Sequence, residues 1–447
     1  MPKDWEGDVN QSSARAEYQR RCLGETSREL LNADARVYLH QGMSTPCLNG
    51  MRAADGAHIE DLEGRRYLDF HGNSVHQVGF GNSAVIDAIK TQLDDLSFCT
   101  RRFTNQVAVD FAQRLVELAP ASLTRVLLAP GGTLAMGMAI KLARLASGRH
   151  KTIAAWGSFH GASLDMIGVG GSHDMRHDIG PLMGGAIHVP YPETYRSPWG
   201  GDPRESASRC AHYIETILER EGDVAAVVFE TVRGDMTFPE AEFWTRVRAA
   251  CDRHGTLLIL DEIPWSLGRS GHLFAFEAYG IEPDILVLGK GLGGGVFPLA
   301  ALLAREELNC AKDHSIGHYT HEKNPVACAA GLATLNCIVD HELPARAREL
   351  GSTIVQPRLE SLTERFNFIG DTRARGLMFG IELVKDRASR ERASEEAERV
   401  LYAALERGLS FKIAQGNVLA FAPPLTIEES DLQRALDIVE ECFGELV

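Results

Sequence analysis

The stretch Asp284–Gly295, DILVLGKGLGGG, decides how the rest of the chain is read. An apolar run of strand type ends abruptly in Lys290, and glycines enclose that lysine on both sides. A lysine at the end of a buried strand has two readings. It is a snorkelling or ion-paired cation, or an amine made nucleophilic by partial desolvation and able to form a Schiff base. The surrounding sequence has to choose between them.

Working outward, other apolar runs end in the same way. TRVLLAPGG, KTIAAWGSFHG, AAVVFETVRGD and GTLLILDEIPW each stop at polar residues or glycine. Helical patterns such as TLAMGMAIKLARLAS, SRCAHYIETILERE and EFWTRVRAACDRH lie among them. Apolar runs alternating with helices predict a mostly parallel sheet covered on both faces, with ligands at the carboxyl ends of its strands. His160, Glu230, Asp261 and Lys290 all fall at such ends, so one shared site is expected.

The flanks use a different grammar. AHIEDLEGRRYLDF reads as two short strands joined by a turn at Glu63 and Gly64. The first 40 or so residues read as amphipathic helix. After about residue 330 a long helix leads into RARGLMFGIELV and GNVLAFAPPLTI. The expected organisation is α/β: an N-terminal segment (1–75) joining a smaller α+β domain (336–447), around a large domain (76–335).

Composition narrows the function classes. The net charge is −15, which disfavours nucleic acid and anionic membranes as partners. No apolar run is long enough to span a bilayer, and the polar N-terminus has no signal-peptide core. Nine cysteines lack C-x-x-C or zinc-ligand spacing, which predicts no metal and reduced thiols in a cytoplasmic protein.

Asp261 closes an apolar strand, and an ionised carboxylate there needs a partner. A pyridinium nitrogen is one that fits. In LLAPGGTLAMG, Gly131 and Gly132 permit close backbone approach, Thr133 offers a hydroxyl, and the helix start favours an anion. Phe159 is placed to stack on a ring. No GxGxxG follows a strand, so a dinucleotide is disfavoured.

In that order, G-G-T, F-H-G, a strand-end glutamate, D-E and G-K-G resemble the class III (omega) aminotransferase family of fold-type I pyridoxal phosphate enzymes. The resemblance runs from DLEGRRYLDF to FAPPLTI, nearly the whole chain. It implies that Lys290 carries pyridoxal 5'-phosphate and that Asp261 faces its ring nitrogen. It further implies that Gly132, Thr133, Phe159, Glu230 and Ile263 surround the cofactor. Thr320 would reach the phosphate of a neighbouring subunit in a homodimer with its sites at the interface.

The departures speak to the reaction. Family transaminases commonly read S-G-T-E-A-N where this chain has Gly131–Met136, and D-E-V-Q where it has Asp261–Pro264. Many read I-R-F-A-P-P-L, whose arginine grips a carboxylate; here Ala420 stands in that arginine's place. Arg233, His321 and Lys323 are basic replacements within recognisable motifs, and Arg101 lies in CTRRFTN. These four are the expected contacts to a small anionic amine substrate, because a tetrahedral dianion suits such cations. The expected reaction is therefore that of the family's lyases. In it, (R)-1-hydroxy-2-aminoethylphosphonate expels water, and the enamine product hydrolyses to phosphonoacetaldehyde and ammonia. A transaminase acting on a small amine is the alternative.

Overall fold

The computed structural model describes residues 12–446 except Met43 and Gly201. The start of the polar N-terminal segment therefore lies outside the described residues.

A seven-stranded sheet forms the centre. Its strands in chain order are β1 (Leu123–Ala129), β2 (Lys151–Ala155), β3 (Ala186–Val189), β4 (Val224–Glu230), β5 (Leu257–Asp261), β6 (Ile285–Leu288) and β7 (Ala300–Arg305). The spatial order is β1-β7-β6-β5-β4-β2-β3. Only β7 runs against its neighbours, and the other pairings are parallel. Every residue of β4 and β6 is buried, as expected of strands covered on both faces. The expectation of a mostly parallel α/β sheet is borne out.

Local chemistry explains the covering helices. Pro203 opens Pro203–Glu221 beside an Asp202 cap that accepts the Arg204 N–H, and Gly222 closes it in the left-handed region. Asn324 caps Pro325–Asp340 in the same manner through the Ala327 N–H. That helix packs against Ser83–Asp95 and Gln106–Leu118. No single helix among the described residues is long and apolar enough to cross a membrane. All nine cysteines are free thiols.

Two smaller sheets complete the fold. His58–Asp61 and Arg66–Asp69 form the expected antiparallel pair, extended by Met51–Asp55, which has no apolar alternation to announce it. On the other edge, Leu409–Ser410 from the C-terminal part joins in parallel. The helix Ser13–Cys22 reaches the same region, where Tyr18 packs on Tyr402 with ring centroids 5.3 Å apart. A four-stranded antiparallel sheet follows, in the order Ile369–Arg375, Met378–Leu383, Val418–Phe421, Lys412–Ala414. Both the Gly72–Ser74 turn of the N-terminal part and the Lys412–Ala414 edge strand face the carboxyl end of the central sheet, where Lys290 stands.

Candidate active site

Two adjoining cavities open at the carboxyl ends of β4, β5 and β6, with volumes of about 210 and 500 Å³. Phe159, Trp265, Lys290 and Lys412 border both. The smaller, inner chamber is built from the turns that follow the strands. Glu230 is the last residue of β4 and Asp261 the last of β5, and Lys290 comes two residues after β6. Gly132 and Thr133 open the helix Gly132–Ser147 after β1. Together with Phe159, His160 and Ile263 they line this chamber.

Asp261 forms its floor. The residue is only 2% exposed; Oδ2 accepts from His160 Nδ1 at 2.8 Å and Oδ1 accepts from the Ile263 N–H at 3.1 Å. Burial works against charging His160, but the hydrogen bond and attraction of Asp261, with Glu230 behind them, prevail and raise its pKa. His160 Nε2 is buried without a hydrogen-bond partner among the described residues.

The wall opposite needs two glycines. A Cβ at Gly132 would come within 2.8 Å of the Ile263 side chain. Gly161 has φ +133°, and a Cβ there would meet Thr133 Oγ1 at 2.6 Å. The Thr133 hydroxyl therefore sits against the 160–162 turn, where it also accepts weakly from the Ala162 N–H at 3.4 Å. At the helix start, Gly131 has no side-chain cap, and the space where its Cβ would stand is open. The first-turn N–H groups of a 16-residue helix thus face a space suited to an anion.

Lys290 departs from the expectation of a desolvated amine: it is exposed to the cavities, with φ +46°. Phe159 is likewise no core aromatic, being 38% exposed at the border of both chambers.

The other expected site residues are not brought to these chambers within the single chain. Arg233 is 6% exposed and bound to Glu193, Nη1 to Oε1 at 2.8 Å, with its guanidinium over the Tyr191 ring. Burial works against its charge, but Asp235, Glu193 and Glu230 offset this and raise its pKa. Arg101 donates to His318 Nε2 at 2.9 Å and sits 3.9 Å from Glu322. His321 packs edge-on against Phe98. Lys323 and Thr320 are exposed, and neither lines either chamber.

In their place the structure supplies residues that sequence reasoning passed over. His71, Asn73, Ser74 and Trp265 border the outer chamber, as does Lys412. A hairpin signal was available for Lys412. Gln415 and Gly416 both have positive φ, and counting outward from Gly416 sets Lys412 opposite Ala420.

Comparison with known proteins agrees with this geometry. A model of the family described as aminotransferase class-III matches residues 41–443. The chain is 43% identical to an (R)-1-hydroxy-2-aminoethylphosphonate ammonia-lyase of Vibrio splendidus, over 99% of this chain and 95% of that protein. It is 36% identical to a leucine/methionine racemase of Thermococcus litoralis, over 88% and 90% of the two chains. Among solved structures, an amine transaminase from an uncultivated Pseudomonas species, in its PLP-bound form, superposes with a TM-score of 0.84 at 30% identity. That match covers 92% of this chain and 98% of the other.

The inner chamber fits pyridoxal phosphate on its own terms. The open helix start at Gly131–Thr133 suits the phosphate, and the buried Asp261 carboxylate suits a protonated ring nitrogen. Phe159 and Ile263 give apolar walls for the ring, and Lys290 stands at the mouth.

Proposed function

The chain belongs to the class-III aminotransferases and takes pyridoxal 5'-phosphate as its cofactor, and from that premise we propose that it is an ammonia-lyase acting on a small phosphonate amino alcohol. The best-supported substrate is (R)-1-hydroxy-2-aminoethylphosphonate, with phosphonoacetaldehyde and ammonia as products. The observation that carries the reading is the 43% identity to a lyase of that reaction, maintained over 99% of the chain. Ala420 adds to it. It borders the outer chamber, and its methyl group cannot hold a substrate carboxylate.

The bound cofactor supplies an electrophilic carbon for the substrate amine and a sink for the electrons of the broken C–H bond. Asp261, held by His160, would keep negative charge near the ring nitrogen and so favour its protonated form. Lys290 Nζ serves as the base that takes the proton from the carbon bearing the amine. The same nitrogen then stands ready to give a proton to the departing β-hydroxyl. Water lost in that step is regained when the product hydrolyses, so the net change is release of one ammonia.

This reading includes a homodimer with its sites at the interface. Thr320, exposed and outside both chambers of its own chain, would then serve the neighbouring subunit. A transaminase acting on a small amine is the second reading, favoured by the likeness to the amine transaminase structure. One assay separates them: ammonia release from (R)-1-hydroxy-2-aminoethylphosphonate with no keto acid, alongside Lys290→Ala. Equal amounts of aldehyde and ammonia, absent in the variant, are expected. Amine transfer only after pyruvate is added would replace the lyase by the transaminase.

A further inference from the structure

The outer chamber is electrically one-sided. In a protein of net charge −15, its bordering residues include Lys290 and Lys412 and, among the described residues, no carboxylate. The acids of the site, Glu230 and Asp261, border only the inner chamber. His71 registers the resulting field. Burial, then the charges of Lys412, Lys290 and Arg269, hold its pKa down at about 3.

Lys412 occupies a particular place. It lies directly across the antiparallel ladder from Ala420, and both border the outer chamber. Directly opposed residues on such a pair project from the same face, with Cβ atoms roughly 5 Å apart. A long side chain at 420 would occupy the space that Lys412 needs to turn toward the chamber, and Ala420 leaves it open. Facing them is the turn Gly72–Ser74, where three successive residues have positive φ: 47°, 45° and 59°. Two of the three are not glycine, so the turn carries strain of the kind that collects at ligand sites. Asn73 and Ser74, which carry an amide and a hydroxyl, border the same chamber.

We propose that the substrate's tetrahedral anionic group is bound in the outer chamber by Lys412, between Ala420 and the left-handed turn bearing Asn73 and Ser74. The assignment rests on the phosphonate reading above and adds to it the residues that recognise the acid group. Lys412 thereby does, from the adjacent strand, what an arginine at 420 would do for a carboxylate. A lysine ammonium is a compact point charge with three donors, suited to a tetrahedral oxyanion that a planar fork matches less directly.

The test uses the holoenzyme and two probes, titrated calorimetrically. One is 2-aminoethylphosphonate, which has the acid group but no β-hydroxyl to lose; the other is ethanolamine, which lacks the acid group. Lys412→Met is expected to weaken 2-aminoethylphosphonate about thirtyfold, the scale of one charge-assisted contact, and to leave ethanolamine unchanged. Lys412→Arg should recover most of that loss, and Asn73→Ala should cost about threefold to tenfold. Unchanged phosphonate binding in Lys412→Met, or equal loss of both probes, would overturn the assignment. The two readings fail separately. Lys412-dependent phosphonate binding without ammonia release keeps this subsite and removes the lyase. Ammonia release with binding indifferent to Lys412 does the reverse.

Discussion

His160 Nδ1 and Asp261 Oδ2 lie 2.8 Å apart beneath the inner chamber, each side chain almost wholly buried. A buried carboxylate that loses its partner costs far more than the pair contributes, because the charge stays desolvated. His160→Leu is therefore expected to destabilise the apo protein by about 3 kcal/mol in urea unfolding. The double variant His160→Leu/Asp261→Leu should be more stable than His160→Leu alone, since no unpaired charge remains. A double variant as unstable as the sum of the singles would mean the pair is not coupled.

His76 predicts an acid limb in the stability profile. It has no exposed surface; Nε2 donates to the Asp69 carbonyl at 2.9 Å, and Nδ1 accepts from Arg269 Nη2 at 3.2 Å. Because arginine can only donate, this arrangement requires the neutral ring. Burial and the Arg269 charge depress its pKa to about 3. The unfolded chain takes up a proton below about 6.5 that the folded chain refuses until about 3, so stability falls as the pH drops through that window. His76→Gln keeps a donor and an acceptor but cannot titrate. Between pH 7 and pH 5 the wild type should lose about 2 kcal/mol relative to this variant. Parallel profiles would remove His76 as the cause.

Much of the architecture and the inner chamber was legible because five of the seven central strands announce their ends; Ala186–Val189 and the antiparallel Ala300–Arg305 were not read. An apolar run stopping at Asp261, Glu230 or Lys290 places that residue at a carboxyl edge, whatever the other strands do. Arg233 was singled out differently, as a basic replacement within a recognisable motif, and in this chain it is held in an ion pair. Its partner Glu193 arrives from a distant loop, and a single sequence does not show which charges are already paired. Lys412 was passed over for the opposite reason. It sits in a three-residue edge strand far from the other site residues, and its meaning depends on register with Ala420. The turn at Gly72–Ser74 was equally hidden, since positive φ at Asn73 and Ser74 is not the ordinary preference of either residue.

Gly161 predicts cofactor affinity. With φ +133° and a Cβ position 2.6 Å from Thr133 Oγ1, an alanine there strains the backbone and pushes Thr133 off the phosphate end of the chamber. Gly161→Ala should raise the dissociation constant for pyridoxal phosphate at least about tenfold, the equivalent of one lost charge-assisted hydrogen bond. Absorbance titration of the apo protein reads this directly. Gly148→Ala is the control, because it also has positive φ but meets nothing within 4 Å and closes the far end of the same helix. It should lose about 1 kcal/mol of stability and no cofactor affinity.

Lys290 itself sits in the left-handed region, at φ +46°, between Gly289 and Gly291. Any L-residue with a Cβ pays roughly 1–2 kcal/mol there, and only glycine escapes it. The backbone beside it is closely approached: a Cβ on Gly291 would fall 1.7 Å from Gln77 Oε1, so the residue after Lys290 suits only glycine. Lysine is therefore kept at a position that suits stability poorly, as expected where chemistry requires the side chain. Lys290→Gly and Lys290→Ala are both expected to abolish turnover, yet they should differ in the apo protein. The glycine variant is expected to be more stable than the alanine variant by about 1 kcal/mol, less the entropy glycine regains on unfolding. An alanine variant more stable by about 0.5–1 kcal/mol, the full entropy difference, would show that the turn relaxes and stores no strain; an equal or higher urea midpoint for glycine would show that Lys290 is held there against its backbone preference.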